Sequence, residues 1–289
     1  MASGHVSDVT TAPNNTNLRG AHMDLGLTGK RAIVTGASRG IGLAVARGLA
    51  AEGAAVALVA RTAADLGTAA AAVADAVPGA RTITVPTDTT DDAAVRAMVA
   101  RVVDELGGVD VLVNCAARPA GGVAPPSLAD LTDDAVHTEF DTKVVGYLRT
   151  ARAVAPHMTA QGSGRIVNVS GLNARRTGSI AGTIRNVAVA ALTANLADEL
   201  GPHGVGVTVV HPGLVETERT PQVIADRTAS TGRSEEQVRA DLGAASSIRR
   251  MVTADEVADV VVFLASPRAV AVSGDAVGAG GGNRGAVHY

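Results

Sequence analysis

Residues 31–42 read R-A-I-V-T-G-A-S-R-G-I-G. The apolar run 32–34 reads as a buried strand. Gly36, Gly40 and Gly42 follow at close intervals, with Ser38, Arg39 and Ile41 between them. Beyond them Leu43, Ala44, Val45, Ala46, Leu49 and Ala50 keep helical spacing. Strand, glycine turn, helix is the context in which backbone binds a dinucleotide. The glycines permit the tight turn and a close approach to the ligand. The helix N-terminus offers free N–H groups and a positive dipole end to the pyrophosphate.

Outward from this stretch, strands and helices alternate. Strands are expected at 54–60, 82–85, 109–113, 165–169 and 205–210, with a short last one near 269–272. Helical segments are expected at 63–77, 91–106, 133–159, 182–200 and 257–264. A Pro/Gly-rich loop, 118–126, precedes the longest helix. This order implies right-handed crossovers and one α/β domain of Rossmann type, a doubly wound parallel sheet of about seven strands. Residues 1–24 are polar and aperiodic and read as a disordered tail before a domain at 25–289. The charged segment 216–250 reads as a mobile helical lid.

The composition limits what the chain can do. Hydrophobic residues make up 46% of it, yet it holds only two Phe, two Tyr and no Trp, so the core is built from Ala, Val, Leu and Ile. A formal net charge of −3 gives no general attraction to nucleic acid. The single Cys115 allows no internal disulfide, and no signal peptide or membrane-length apolar run is seen, so a cytoplasmic protein is expected. No His, Cys and Asp cluster has metal-ligand spacing, so no metal is expected.

T-G-x-x-x-G-x-G at 35–42 resembles the fingerprint of the short-chain dehydrogenase/reductase family. Further marks agree with it. Asp88 in T-D-T-T-D resembles the acid that meets the adenine. Asn114, Cys115, Ala116 and Ala117 stand where the family writes N-N-A-G. Residues 211–217, H-P-G-L-V-E-T, resemble the turn whose threonine meets the nicotinamide carboxamide. The resemblance spans nearly the whole chain and implies a nicotinamide dinucleotide held by Gly36, Ser38, Arg39, Gly40, Ile41, Gly42, Arg61, Asp88, Asn114, Ala116, Pro212, Gly213 and Thr217. An acidic residue closing the second strand would repel a 2′-phosphate. Here Ala60 closes it and Arg61 follows, with Arg39 in the glycine loop, and two guanidiniums suit a dianion. NADP is therefore the expected cofactor. The family's helices after strands four and five form oligomer interfaces, which implies a homodimer or homotetramer.

The family's proton-transfer residues are a Ser, a Tyr, a Lys four residues after it, and an Asn on the preceding long helix. Aligned through G-R-I-V-N-V at 164–169, Gly171 holds the serine position, one residue past Ser170. Counted back from Pro212, Gly182 holds the tyrosine position and Asn186 the lysine position. No Tyr lies between Tyr147 and Tyr289, and no Lys follows Lys143. Lys143 itself stands where the Asn is expected.

Two readings compete. In one, the protein is an NADP-dependent oxidoreductase that passes hydride between the cofactor and a small carbonyl or alcohol, with Lys143 as acid and Ser170 orienting the oxygen. In the other, it is an inactive cofactor-binding or scaffold relative. Lys143 is one of two lysines among 25 basic residues, and lysine can be retuned by burial where arginine cannot. Tyr147 reads as a core or interface residue. Arg175, Arg176 and Arg185 read as solvated cations or as a site for an anionic substrate. His211 and Cys115 read as structural.

Overall fold

The computed structural model describes residues 23–117 and 125–285. The proposed tail at 1–24 lies outside the described residues, except for its last two. There Asp24 is already tied down: its carbonyl accepts from Arg268 Nε at 2.8 Å. Most of the Pro/Gly-rich loop also lies outside them.

Nine strands and nine helices alternate among the described residues. They run β1 (Arg31–Thr35), α1 (Gly40–Ala51), β2 (Ala55–Ala60), α2 (Ala63–Ala76), β3 (Thr82–Pro86), α3 (Asp92–Leu106) and β4 (Val111–Asn114). Then come α4 (Asp133–Phe140), a π-helical turn (Asp141–Val145), α5 (Gly146–Gln161), β5 (Gly164–Val169), α6 (Ile180–Leu200) and β6 (Val205–Pro212). The chain closes with β7 (Val215–Glu216), α7 (Thr220–Thr231), α8 (Glu235–Gly243), β8 (Val252–Thr253), α9 (Ala254–Ala265) and β9 (Ala276–Ala279).

Seven strands form one parallel sheet in the order β3-β2-β1-β4-β5-β6-β9. The strand order reverses between β1 and β4, which puts a ligand crevice at their C-terminal ends. Side chains alternate along each strand, so one strand feeds two cores. Ala32, Val34, Val56, Leu58, Val111 and Val113 pack on the face covered by α1 and α9. Ile33, Ala57, Val59, Leu112, Ile166 and Val207 pack on the face covered by α3, α5 and α6.

Local signals set the helix ends. Asp91 accepts from Ala93 N and Ala94 N to start α3, and Gly107, at φ +87°, ends it. Thr253 with Glu256, and Ser234 with Gln237, form capping boxes on α9 and α8.

Two expectations are corrected. The last strand lies at Ala276–Ala279, not near 269–272, where Ala269 sits instead in a 3-10 turn. The glycine-rich run after it masks its strand character, and pairing with β6 supplies the order that local propensity lacks. The long helix is interrupted by the π turn. The segment at 216–250 holds two helices anchored by a small β7-β8 pair that no local pattern signals. One helical stretch, Ile180–His203, is long and apolar enough to cross a membrane by length and composition, with mean hydropathy 1.2. It is the α6 layer of this sheet, and Arg185, Asn186, Val189, Thr193 and Ala197 are its buried face.

Candidate active site

The C-terminal ends of β1, β4, β5 and β6 meet at the switch point. Thr35 closes β1, and its Oγ1 accepts from Cys115 N at 3.1 Å and Ala116 N at 3.2 Å. A Cβ on Gly36 would come within 2.9 Å of Ala116 N, and one on Gly42 would overlap the Gly36 carbonyl. The glycine turn is therefore folded onto the β4 end with no room for side chains. Gly213 packs just as closely on Gly280.

Gly40 opens α1 at φ +55° and its N–H donates to Glu218 Oε2 at 3.2 Å. The Cγ2 of Thr217 lies 3.7 Å from where a Gly40 Cβ would stand. The glycine loop and the turn after Pro212 are thus brought together, as expected. Arg39 and Arg61 are exposed. Asp88 is also exposed, and its Oδ1 accepts from Thr90 N at 3.0 Å and Thr90 Oγ1 at 2.8 Å. The Thr90 backbone bond, then Thr90 Oγ1 and the nearby Arg61 and Arg149, lower its pKa against the opposing effect of burial.

The Asn114 side chain is engaged within the protein. Its Nδ2 donates to Asn168 Oδ1 at 3.0 Å and its Oδ1 accepts from Thr150 Oγ1 at 2.8 Å. Asn168 Nδ2 then donates to Thr193 Oγ1 at 2.9 Å. The Asn114 side chain is used up inside the core, so a ligand here would meet main chain from the Asn114 stretch rather than the carboxamide.

Four groups gather at the end of β5. Lys143, in the π turn, is 4% exposed, and its Nζ donates to the Ser170 carbonyl at 2.9 Å. Tyr147 is fully buried and its OH donates to the Val169 carbonyl at 2.9 Å, a core role as one of the expected readings has it. Ser170 Oγ donates to the Asn186 carbonyl at 3.1 Å. A serine has one O–H, and here it is given to α6. Asn186 is 3% exposed, its Nδ2 stands 3.0 Å from a Gly171 Cβ position, and its Oδ1 has no partner. Positions 171 and 186 are therefore juxtaposed, as the count back from Pro212 requires. At Gly182 a Cβ would press on Ser179 Oγ and Asn173 Nδ2.

Burial lowers the Lys143 pKa to about 8, opposed by the Cys115 thiol, itself pushed up to about 12 by burial. Arg185 does not face an open substrate site. It is buried and ion-paired with Glu139 of α4. Arg175 donates to the Ala276 carbonyl at 2.8 Å and Arg176 to Asn173 Oδ1 at 3.0 Å. His211 is buried within β6. Among the described residues no cluster of His, Cys, Asp or Glu could hold a metal ion. Sequence reasoning missed Glu218 and the Glu139–Arg185 pair. Glu218 is adjacent to Thr217, and that adjacency was the one available signal.

This geometry can be set beside known proteins. The family model for short chain dehydrogenase matches residues 30–228. The chain belongs to the short-chain dehydrogenase family. It is 39% identical over 252 residues to the short-chain reductase protein NovJ of Streptomyces niveus, covering 87% of this chain and 92% of that protein. It is 32% identical over 260 residues to a sorbitol dehydrogenase of Cereibacter sphaeroides, covering 89% and 98%. Among solved structures it resembles L-sorbose reductase of Gluconobacter frateurii, in complex with NADPH and L-sorbose. The TM-score is 0.84 at 29% identity, covering 92% of this chain and 100% of that one. It also resembles a variant actinorhodin polyketide ketoreductase with NADPH, TM-score 0.79 at 33% identity, covering 88% and 96%.

The buried amine has a thermodynamic signature. Between pH 8 and 10.5 the unfolded chain holds a proton on Lys143 that the folded chain releases, so stability rises with pH in that window. The Cys115 thiol opposes it above pH 9, where the unfolded chain ionises first. Lys143→Met isolates the lysine. In urea melts the parent should gain about 1 kcal/mol on the variant between pH 8 and 9. Parallel profiles would show that the amine is not desolvated.

Proposed function

We propose that the chain is an NADP(H)-dependent oxidoreductase acting on a small carbonyl or alcohol, with Lys143 as the source of the proton. The observation that carries this reading is the position of Lys143: a buried amine in the π turn whose Nζ meets the Ser170 carbonyl just past the end of β5. The relatives crystallised with NADPH support the cofactor class.

The residues present fit a dinucleotide. The side-chain-free cradle of Gly36, Gly40 and Gly42 leaves backbone to approach a pyrophosphate, and Gly40 N–H already holds a carboxylate oxygen. Ser38, Arg39 and Ile41 complete that loop, and Ala116, Pro212, Gly213 and Thr217 line the adjoining turns. Arg61, next to Ala60, would take the 2′-phosphate. Asp88 near Arg61 offsets part of that attraction. The bound cofactor would supply the hydride.

Lys143 then has two tasks. Its ammonium would offset charge developing on the substrate oxygen, and with a pKa near 8 it can give up a proton close to neutral pH. The Ser170 carbonyl holds Nζ in place and its hydroxyl bonds α6. The replacement of the family's Ser, Tyr and Lys by Gly171, Gly182 and Asn186 favours the alternative of a cofactor-binding relative without turnover, and the kinetic experiment below separates the two. Helices 216–250 would serve as the lid. Exposed Leu148 of α5 and Ile180, Ile184 and Val187 of α6 form the apolar face of a homodimer or homotetramer. The cytoplasm is the proposed location.

Three measurements test this. In fluorescence titrations NADPH should bind at least ~10-fold tighter than NADH, about 1.4 kcal/mol, and Ala60→Asp with Arg61→Ala should reverse the order. Equal affinities in the parent would remove the 2′-phosphate assignment. With a panel of carbonyl substrates, Lys143→Met should cut turnover at least ~10²-fold while NADPH affinity stays within a few-fold. Lys143→Arg should fail likewise, since a guanidinium keeps its proton. Turnover that survives both changes, or is absent from the parent with every substrate, refutes the lysine mechanism. Light scattering at micromolar concentration should give a dimer or tetramer, and a monomer would overturn the interface.

A further inference from the structure

We propose that Glu218 is an internal competitor for the phosphate-binding end of α1 and thereby sets how tightly the protein holds its dinucleotide. The inference rests on the cofactor reading above and goes beyond it, because it assigns a residue that opposes binding.

Three observations converge. First, α1 has no acidic residue in its first turn, and its N-cap, Arg39, makes no side-chain cap. The local sequence therefore leaves the positive helix end without an anion. Second, a carboxylate from far along the chain supplies one: Gly40 N–H donates to Glu218 Oε2 at 3.2 Å. Third, the Thr217 methyl lies 3.7 Å from where a Gly40 Cβ would stand, so the backbone beside Glu218 is held close to the loop.

A dinucleotide pyrophosphate would need the same N–H. Two anions sharing its single hydrogen would each bond it weakly, and a carboxylate beside a doubly charged pyrophosphate repels it. Binding must therefore displace Glu218. Displacement has a route into the neighbouring helices. Thr217 N–H donates to Thr220 Oγ1 at 2.9 Å, at the first residue of α7. Glu216, one residue earlier, pairs with Arg239 of α8 at 2.6 Å. The two residues before Glu218 are thus bonded to the two helices at 220–243, and the bond at Glu218 ties that segment to the glycine loop.

Glu218→Gln removes the charge and keeps the length. Competition for the pyrophosphate predicts that the variant binds NADPH about 5-fold tighter at low salt, and NADH tighter by the same factor, because both carry the pyrophosphate. A change at Arg61 should shift the two unequally. The difference between parent and variant should shrink at high salt. Without added cofactor, hydrogen exchange at the Gly40 amide should be faster in Glu218→Gln and faster still in Glu218→Ala. Equal dinucleotide affinity in parent and variant overturns the proposal and leaves the cofactor reading standing. Unchanged Gly40 exchange in both variants also overturns it. If neither protein binds NADPH or NADH, the cofactor reading fails and the competitor role falls with it. Matched thermal melts of parent and variants exclude misfolding as the cause.

Discussion

A chain of buried hydrogen bonds, Thr150 to Asn114 to Asn168 to Thr193, holds the crevice together. It links α5 to β4, β4 to β5, and β5 to α6. All four residues are fully buried. Each bond adds only about 1 kcal/mol net, but removing one partner would strand polar groups in a low-dielectric core at ~1–3 kcal/mol each. Apolar packing of Val and Ala fixes how far the layers stand apart, yet tolerates sliding. The amide chain does not, because its geometry is directional. It therefore sets the register between the helices that carry Lys143 and Asn186 and the strand ends they face.

The fold was legible because its pattern is redundant. Apolar runs such as A-V-A-L-V-A at β2 are strands on either face of the sheet, and the amphipathic spacing at α3 needs no tertiary help. β9 was misplaced because Ala276–Ala279 is followed by glycines and is weak as an isolated strand. Its order comes from β6, which no local window sees. The π turn was invisible for a related reason. Residues 133–161 have one continuous helical period to within a residue, and a single extra residue in a turn changes phase, not composition.

The site was legible where backbone does the work and less so where side chains do. Gly36 and Gly42 announce themselves because a Cβ there would meet backbone, and Gly40 because its φ is positive. Asn114 and Ser170 are harder to read, because a polar residue beside a site is as well suited to serve the core as a ligand; here their side chains bond Asn168, Thr150 and the Asn186 carbonyl. Glu218 was missed for the opposite reason. Its partner, Gly40, is 178 residues away, and a carboxylate in a charged loop carries no mark of where it folds.

The π turn bears on how Lys143 should be understood. The wider turn brings Lys143 and Tyr147 onto neighbouring carbonyls of one strand end, Ser170 and Val169. Asp141, the first residue of that turn, is braced by Arg149, whose other nitrogen donates to the Thr89 carbonyl. The two contacts at the strand end are not equivalent. The tyrosine fills volume and spends its one donor, which is all a core position asks. The ammonium has three donors and spends one, on a neutral carbonyl. Its depressed pKa records that burial opposes its charge. Packing alone would be served better by methionine, similar in length and free of that desolvation cost. At this strand end the ammonium therefore carries a desolvation cost that its one bond to the Ser170 carbonyl only partly offsets.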